Sequence, residues 1–476
     1  MINLSEKQRK ILINGELYSN ENWIDVTSPI DNSIVVQVPA LNASEIKFVF
    51  ESAQAAFSTW RHVGFIEKEK LVSQWIESIK RHKDEFVSLM VREIAKSQKD
   101  ATIEVDRTIS LILETVEIYK TLLGDSYDGQ IWGANNKHAF SLNEPKGVIL
   151  AIAPFNYPLN LAVSKIIPAL ITGNTVVFKP ASFSSGIGAL IGLTIHEANF
   201  PAGVFNVVTG KGSEIGDLLT SHPYIKLINF TGSTATGNYI ASKSGLVEFI
   251  FELGGKDPAI VIDDNDLELY ASQIVKGAYS YNGQRCTAVK RVITTKEIGK
   301  KLTPIITKKV SSLKIGSPKD NCDITPIVDT KSIYWVLKMV EEAKEEGAIS
   351  LLPEKVDGNL IYPILLDNVK RTSKIAIEEP FAPILPIIYC ETFEEMIDIA
   401  NESPYGLQAC IFGNDYKTIL TMAKKLEAGS ININTAPQRG PDAFPFSGVK
   451  GSGIGTQGIK DALLAHIHKK LIVLNF

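Results

Sequence analysis

Basic residues do not outnumber acidic ones in this sequence: 49 Lys+Arg stand against 53 Asp+Glu, a net charge of −4. Without a cationic excess a nucleic-acid backbone has no electrostatic foothold, which excludes polymeric phosphate partners. Cysteine is scarce as well. The four present, Cys286, Cys322, Cys390 and Cys410, include no C-x-x-C pair. A disulfide framework and a thiolate zinc site are therefore unexpected, and a reducing compartment fits best. No fixed-period repeat and no low-complexity tract occurs. The charged N-terminus, MINLSEKQRKILINGE, lacks the apolar stretch of a leader peptide. Only Gly147 to Ser164 is uncharged and nearly long enough to tempt a membrane reading. Its Pro154, Asn156, Pro158 and Asn160 would leave polar groups unsatisfied in lipid, so it reads as a buried strand running into a loop. The sequon Asn229-Phe230-Thr231 reads as accidental.

What remains is a globular composition: 476 residues, 45% hydrophobic and 21% charged. That length suggests two to four domains. Ser44 to about Lys96 reads as two helices, with Leu71, Trp75, Ile79, Phe86 and Met90 at helical spacing in the second. Thr102 to Leu123 continues as helix, and the glycine-bearing Gly124 to Glu144 reads as a loop or exposed hairpin. From Gly147 the rhythm changes. The short apolar runs VILAIAP, TVVFKP, VFNVVTG, LINFTGS, FIFELGG and AIVID are bounded by Gly, Pro or Asn. Amphipathic stretches such as Ser184 to Asn199 and Gly212 to His222 separate most of them. A second such series runs from Asp266 to about Gly429, with helical Ser332 to Glu346 and strand-like Ala382 to Tyr389. The tail ends in strand-like LIVLNF. Strands alternating with helices predict parallel sheets in two α/β domains plus a smaller peripheral element. Parallel sheets bind ligands at the carboxyl ends of their strands, so the residues after the apolar runs are the ones to read.

After VILAIAP stand Phe155, Asn156 and Tyr157. A buried Asn amide can donate to an oxyanion, although alone Asn156 reads as a turn former. Lys179 follows TVVF and suits either ribose and phosphate or plain solvation. Ser182 is uncharged where a carboxylate would repel an extra phosphate. Thr231 to Gly237 (TGSTATG) places glycine and hydroxyl residues between a strand and a helix, the geometry that cradles a pyrophosphate. The literal G-x-G-x-x-G at Gly453 to Gly458 is discounted as a flexible loop, because too little chain follows for the roughly 30-residue unit the motif needs. Glu252 ends a strand before Leu253, Gly254 and Gly255. It serves as a general base if its surroundings raise its pKa, or simply pairs with a Lys. Cys286 lies beside Arg285, and a positive neighbour lowers a thiol pKa. Cys410, in the apolar run ACIF, reads as core.

Seven strings in order resemble the NAD(P)-dependent aldehyde dehydrogenase superfamily, from about Ile13 to Phe476. They are PFNYP (154–158), FKP (178–180), FTGST (230–234), ELGGKDP (252–258), GQRCTA (283–288), EEPFAP (378–383) and PFSGVKGSG (445–453). The resemblance implies an α/β fold with three parts. These are a Rossmann-type cofactor domain (1–120 and 142–252), an α/β catalytic domain (253–432) and a β-flap for oligomerisation (121–141 and 455–476). It implies Cys286 as nucleophile, Glu252 as general base and Asn156 as oxyanion donor, with no metal. Phe155, Lys179, Ser182, Gly232, Ser233, Gly237, Leu253 and Glu379 would contact the cofactor, with Phe381 beside the nicotinamide.

Within the superfamily the chain looks most like the non-phosphorylating glyceraldehyde-3-phosphate dehydrogenases. EVDRT (104–108), YNGQRCTAVKRV (281–292), DITPIVDT (323–330) and QRGPDAFPFSGVKGSGIGTQGIK (438–460) carry this likeness. It implies a substrate-phosphate pocket of Arg107, Tyr157, Arg285 and Arg439, which suits guanidinium forks. Ser182 falls where a hydroxyl favours NADP, with NAD as the alternative cofactor. The implied reaction oxidises D-glyceraldehyde 3-phosphate irreversibly to 3-phosphoglycerate through a Cys286 thioester, without inorganic phosphate. A cytoplasmic homotetramer (a dimer of dimers) is implied, with no nucleic-acid or membrane partner. The rival readings are a dehydrogenase of another small aldehyde such as succinate semialdehyde or lactaldehyde, a coenzyme-A-acylating enzyme, and a non-catalytic protein. Glu252 argues against the second, and the intact Cys286–Glu252–Asn156 set against the third. Two positions depart from the pattern: Ala382 replaces a glycine and is expected to add a methyl near the nicotinamide half of the site, and Ser447 replaces another glycine.

Overall fold

A computed structural model describes residues 10–476; the first nine residues of the charged N-terminus lie outside it. The expected pair of N-terminal helices is three: Ala43–Trp60, Phe65–Arg81 and Lys83–Ile94. The apolar spacing continues across the break, so periodicity does not reveal it. His82 leaves helical geometry there, and its ring bonds Glu85 and Glu197 instead. The next helix is Gln98–Tyr119.

The predicted strands form where the apolar runs lie. Five of them build one parallel sheet in the spatial order Glu248–Glu252, Ile225–Thr231, Val148–Ile152, Thr175–Lys179, Phe205–Val207. The chain order reverses between Ile225–Thr231 and Val148–Ile152, and an open α/β sheet has its ligand crevice at such a switch point. The register sharpens this. Thr231 pairs with Glu252, Phe230 with Ile152, and Ile152 with Lys179. Four strands therefore end level, and their loops share one edge. Asn229 and Thr231 are buried in that sheet, so the sequon is inaccessible. Gly147 to Ser164 is strand and loop as expected, except that its last residues begin the helix Asn160–Ile171.

A second sheet runs Ile349–Ser350, Ile364–Asp367, Ile384–Cys390, Arg291–Thr295, Pro258–Val261, Gln408–Phe412, Ser430–Ile433. It is parallel except for its first strand. Separate apolar clusters cover its two faces, one around Met339, Ile384 and Met396, the other around Tyr270, Tyr279 and Leu302. Cys390 and Cys410 are buried in these, and Ala382 is too. The stretch expected as loop or hairpin supplies Ser126–Asp128 and Lys137–Pro145, which join the tail strand Ile467–Asn475 in a third sheet.

Gly453 to Gly458 is not the flexible loop expected. Gly453–Ile454 pairs antiparallel with the Glu252 strand, and Thr456–Gln457 pairs with Phe446–Ser447. Hydrogen bonding along a sheet edge fixes a segment that composition alone marks as loose. No helix among the described residues is long and apolar enough to cross a membrane.

One buried ion pair ties the N-terminal helices to the sheet edge. Lys96 and Glu104 pair at 1% side-chain exposure each. Glu104 also accepts from the Leu159 and Asn160 N–H groups at 3.0 and 3.1 Å, and Lys96 donates to the Asn156 carbonyl at 2.6 Å. Glu104→Ala would strand a buried ammonium and two helix-start N–H groups. The expected loss of stability is about 3–5 kcal/mol, read as a lowered urea midpoint.

Candidate active site

A cavity of about 730 Å³ opens at the switch point. Phe155, Asn156, Lys179, Ser182, Gly232, Ser233, Leu253, Cys286, Glu379 and Phe381 line it, ten of the residues predicted from sequence. Gly237 does not. It lies one layer below, where a Cβ would stand 2.7 Å from the Leu253 side chain. Lys179 and Glu379 are the charged lining residues. The Lys179 ammonium is buried, among the described residues with only the Pro180 carbonyl as partner, at 3.2 Å, and burial pushes its pKa down to about 8. The N-terminus of the helix Thr234–Lys243 faces the cavity through Gly232, Ser233 and Thr236. Phe155 packs edge-on against both Phe183 and Phe381. Phe381 holds a φ of 48°, rare for a residue with a Cβ.

Asn156 follows one strand and Glu252 ends another. Cys286 does not follow a strand as expected: it precedes Arg291–Thr295, on the amino edge of the second sheet. The two sheets thus meet with opposite edges at this point. The Cys286 loop begins with Tyr281, Asn282 and Gly283, all at positive φ. Only glycine fits at 283, where a Cβ would stand 2.4 Å from the Ala382 carbonyl. Asn282 locks the loop by exchanging bonds with Thr325 (3.0 and 2.7 Å), and Gln284 accepts from Val328 N–H at 3.1 Å. The Asn156 amide donates to the Gln284 carbonyl at 3.0 Å, leaving its second N–H for another acceptor.

The Cys286 thiol donates to Glu252 Oε1 at 3.3 Å. Arg285 does not activate it. That side chain turns to Ser280, the Thr287 carbonyl and the Pro437 carbonyl. Burial, then the Glu252 charge, pushes the Cys286 thiol up, against a smaller opposing pull from Lys290. The condition set on Glu252 is not met either. Burial works to raise its pKa, but the Arg439 guanidinium and the Lys165 ammonium outweigh burial and hold it below the usual range. Arg439 Nη1 lies 2.5 Å from Glu252 Oε2. Lys165 donates to Thr231 at 2.7 Å, and Thr231 donates to Glu252 at 3.3 Å. The resting state is a thiol facing a carboxylate.

A model described as "Aldehyde dehydrogenase family" matches residues 17–472. The chain belongs to the aldehyde dehydrogenase family. Among similar proteins, an NADP-dependent glyceraldehyde-3-phosphate dehydrogenase of Streptococcus equinus is 42% identical, over 96% of this chain and 97% of that one. One of Pisum sativum is 41% identical over 98% and 96%. The crystal structure of the NADP-dependent glyceraldehyde-3-phosphate dehydrogenase from Bacillus halodurans complexed with NADP superposes with a TM-score of 0.96. It is 43% identical and covers 98% of this chain and 99% of that one.

In this aldehyde dehydrogenase two of the four predicted phosphate residues, Arg107 and Arg285, hold the 437–442 segment, and a third, Arg439, belongs to it. Asp442 holds Arg107 Nε and Nη2 at 3.0 and 2.7 Å, and Nη2 also reaches the Arg439 carbonyl at 2.8 Å. Arg285 leaves its Nε buried without a partner among the described residues. The Tyr157 ring stacks under Lys96 Nζ at 3.8 Å. Arg439 is spent on Glu252 and Gln457. Ala382 is not among the cavity-lining residues, contrary to the methyl expected there. The sequence reading missed Lys96, Lys165, Asp442, Gln457 and Lys290. Lys165 carried a legible signal, a lone charge in the apolar helix NLAVSKIIPALI.

Arg439→Met removes the larger of the two cations holding Glu252 down, and burial then raises the carboxyl. A base works only when ionised. The acidic limb of the pH–kcat profile is therefore expected to move to higher pH, as pH-dependent initial rates would record.

Proposed function

We propose that this aldehyde dehydrogenase oxidises D-glyceraldehyde 3-phosphate to 3-phosphoglycerate with NADP, through a thioester on Cys286 and without inorganic phosphate. The observation that carries the reading is the Cys286 thiol donating to the buried Glu252 carboxylate, with Asn156 lining the same cavity as Cys286. Glu252 takes the thiol proton, and the thiolate attacks the aldehyde carbon. The Asn156 amide and the Cys286 N–H hold the oxyanion that forms. Bound NADP supplies the acceptor for the hydride leaving that carbon. Cys286 then carries the acyl group until Glu252, its proton released, deprotonates the attacking water.

The cavity fits the dinucleotide. Lys179 is a buried cation without an anionic partner among the described residues, the helix at Thr234 presents its N-terminus to a pyrophosphate, and Ser182 brings no charge against a 2′-phosphate. Phe155, Gly232, Ser233, Leu253, Glu379 and Phe381 would complete the cofactor wall, with Gly237 giving room behind it. The unpartnered Arg285 Nε and the free Nη1 of Arg107 support a phosphate subsite, with Tyr157 beside it. Exposed Leu471 and Val473 on the tail strand support the flap as a subunit contact in a homotetramer.

Cys286→Ser is expected to abolish NADPH formation, and Glu252→Gln to lower kcat by about 10²–10⁴-fold and to slow the first turnover of NADPH as well, because thiol activation and water activation both use its carboxylate. A fully active Cys286→Ser enzyme would overturn the assignment. Arg107→Leu should lower kcat/KM for glyceraldehyde 3-phosphate by about ten- to a hundredfold, the scale of one charged hydrogen bond, and leave unphosphorylated aldehydes near their original values. Absorbance assays at 340 nm with phosphate omitted read both.

A further inference from the structure

The cation bonded to the nucleophile is not its sequence neighbour Arg285 but Lys290, four residues on. Lys290 is 2% exposed. Its ammonium donates to the carbonyl oxygen of Cys286 itself, and it pairs with Glu379 Oε1 at 3.1 Å. Its backbone is anchored: Lys290 N–H donates to the Asp257 carbonyl at 2.9 Å, and the following strand is paired on both sides. Glu379 comes from a different segment, accepts from the Gly255 N–H at 3.1 Å, and lines the same cavity as Cys286. One ammonium thus bridges a cavity-facing carboxylate and the peptide that carries the reactive sulfur.

We infer that Lys290 is a positioning residue for the reaction: it holds the Cys286 peptide in the orientation that aims Sγ, and couples that orientation to Glu379 on the cofactor side. This rests on Cys286 as nucleophile. The backbone conformation of residues 281–283 alone does not fix that peptide, because the carbonyl of Cys286 lies downstream of the locked Asn282 and Gln284. Without Lys290 the carbonyl loses its buried donor, and the peptide is free to turn. The geometry is more than an ion pair, since Glu379 and Lys290 could pair without either touching Cys286.

The groups that bear on the sulfur's charge are known. Glu252 faces it from the strand Glu248–Glu252, Glu379 from the segment before Ile384–Cys390, and Lys165 from the helix Asn160–Ile171. Asp257 and Lys256 lie beside Lys290. Removing Lys290 therefore leaves Cys286 between two carboxylates, with Lys165, and Arg439 on the far oxygen of Glu252, as the remaining cations.

The test is the pH dependence of Cys286 alkylation by iodoacetamide in the full-length enzyme, followed by mass spectrometry of the Cys286 peptide, with and without NADP. Lys290→Met is expected to slow alkylation near neutral pH by about tenfold or more and to move its midpoint to higher pH. It should lower kcat in parallel while KM for NADP stays within about threefold, and Lys290→Arg should recover most of the rate. A folded Lys290→Met enzyme with an unchanged midpoint and rate overturns the inference. Should Lys290→Met fail to fold, Glu379→Gln keeps the ammonium on the Cys286 carbonyl and removes one carboxylate. Its midpoint is expected to fall, and an unchanged midpoint overturns the inference equally. Failure of the parent reading shows separately, as aldehyde oxidation that survives Cys286→Ser.

Discussion

The buried ion pair between Glu252 and Arg439 is the constraint on which the site depends. Glu252 is 2% exposed, and a carboxylate so placed ionises only if cations compensate for the lost water. Arg439 does so directly, and Lys165 does so through Thr231. The ionised carboxylate in turn keeps Cys286 protonated, because a thiolate 3.3 Å from it would place two negative charges in a dry space. Cys286 and Glu252 therefore share one proton. Moving it from sulfur to oxygen creates the thiolate without changing the net charge of the pair, so burial opposes the transfer far less than it opposes ionisation of either group alone.

That economy requires three segments from two sheets to meet within hydrogen-bond reach. The level ends of the strands around the switch point deliver Asn156, Thr231 and Glu252 together. The loop before Arg291 delivers Cys286 from the opposite side. Each is held from behind: Asn156 through its carbonyl by Lys96, the Cys286 loop by Thr325 and Val328, and Arg439 by Gln457. Gln457 belongs to the glycine-rich tail segment that pairs into the sheet edge. A stretch that looks like loose chain is part of the clamp on the Glu252 carboxylate.

The alternation of apolar runs with amphipathic stretches was enough to read the two α/β sheets, and the strings after the runs were enough to read the cavity wall. What stayed illegible has one physical source, the difference between neighbours in sequence and neighbours in space. Arg285 stands next to Cys286 in the chain and points elsewhere, whereas Lys290 reaches back to the Cys286 carbonyl. Asp442 lies hundreds of residues from Arg107 and takes two donors, Nε and Nη2, along one edge of its guanidinium. The helix break at His82 was hidden because a one-residue interruption barely disturbs a 3.6-residue period. Lys165 was readable in principle, since a charge in an apolar helix needs a buried acceptor.

The mildly acidic total of −4 says little about the substrate, and neither does a count of arginines. Arg107 is neutralised by Asp442, Arg439 by Glu252, and Lys96 by Glu104. Among the described residues only Arg285 of these cations pairs with no carboxylate, and its Nε is buried with nothing to donate to. An unmet buried N–H costs about 1–3 kcal/mol, a cost that an anionic oxygen arriving there would remove. The proposed phosphate subsite therefore rests less on a surplus of charge than on donors left unspent, the Arg285 Nε–H and the Arg107 Nη1. Three phosphate oxygens can use such spread donors at once, whereas the two oxygens of a carboxylate, fixed in one plane, reach fewer of them. On the proposed reading, such donors suit a phosphorylated aldehyde better than a semialdehyde acid of similar length.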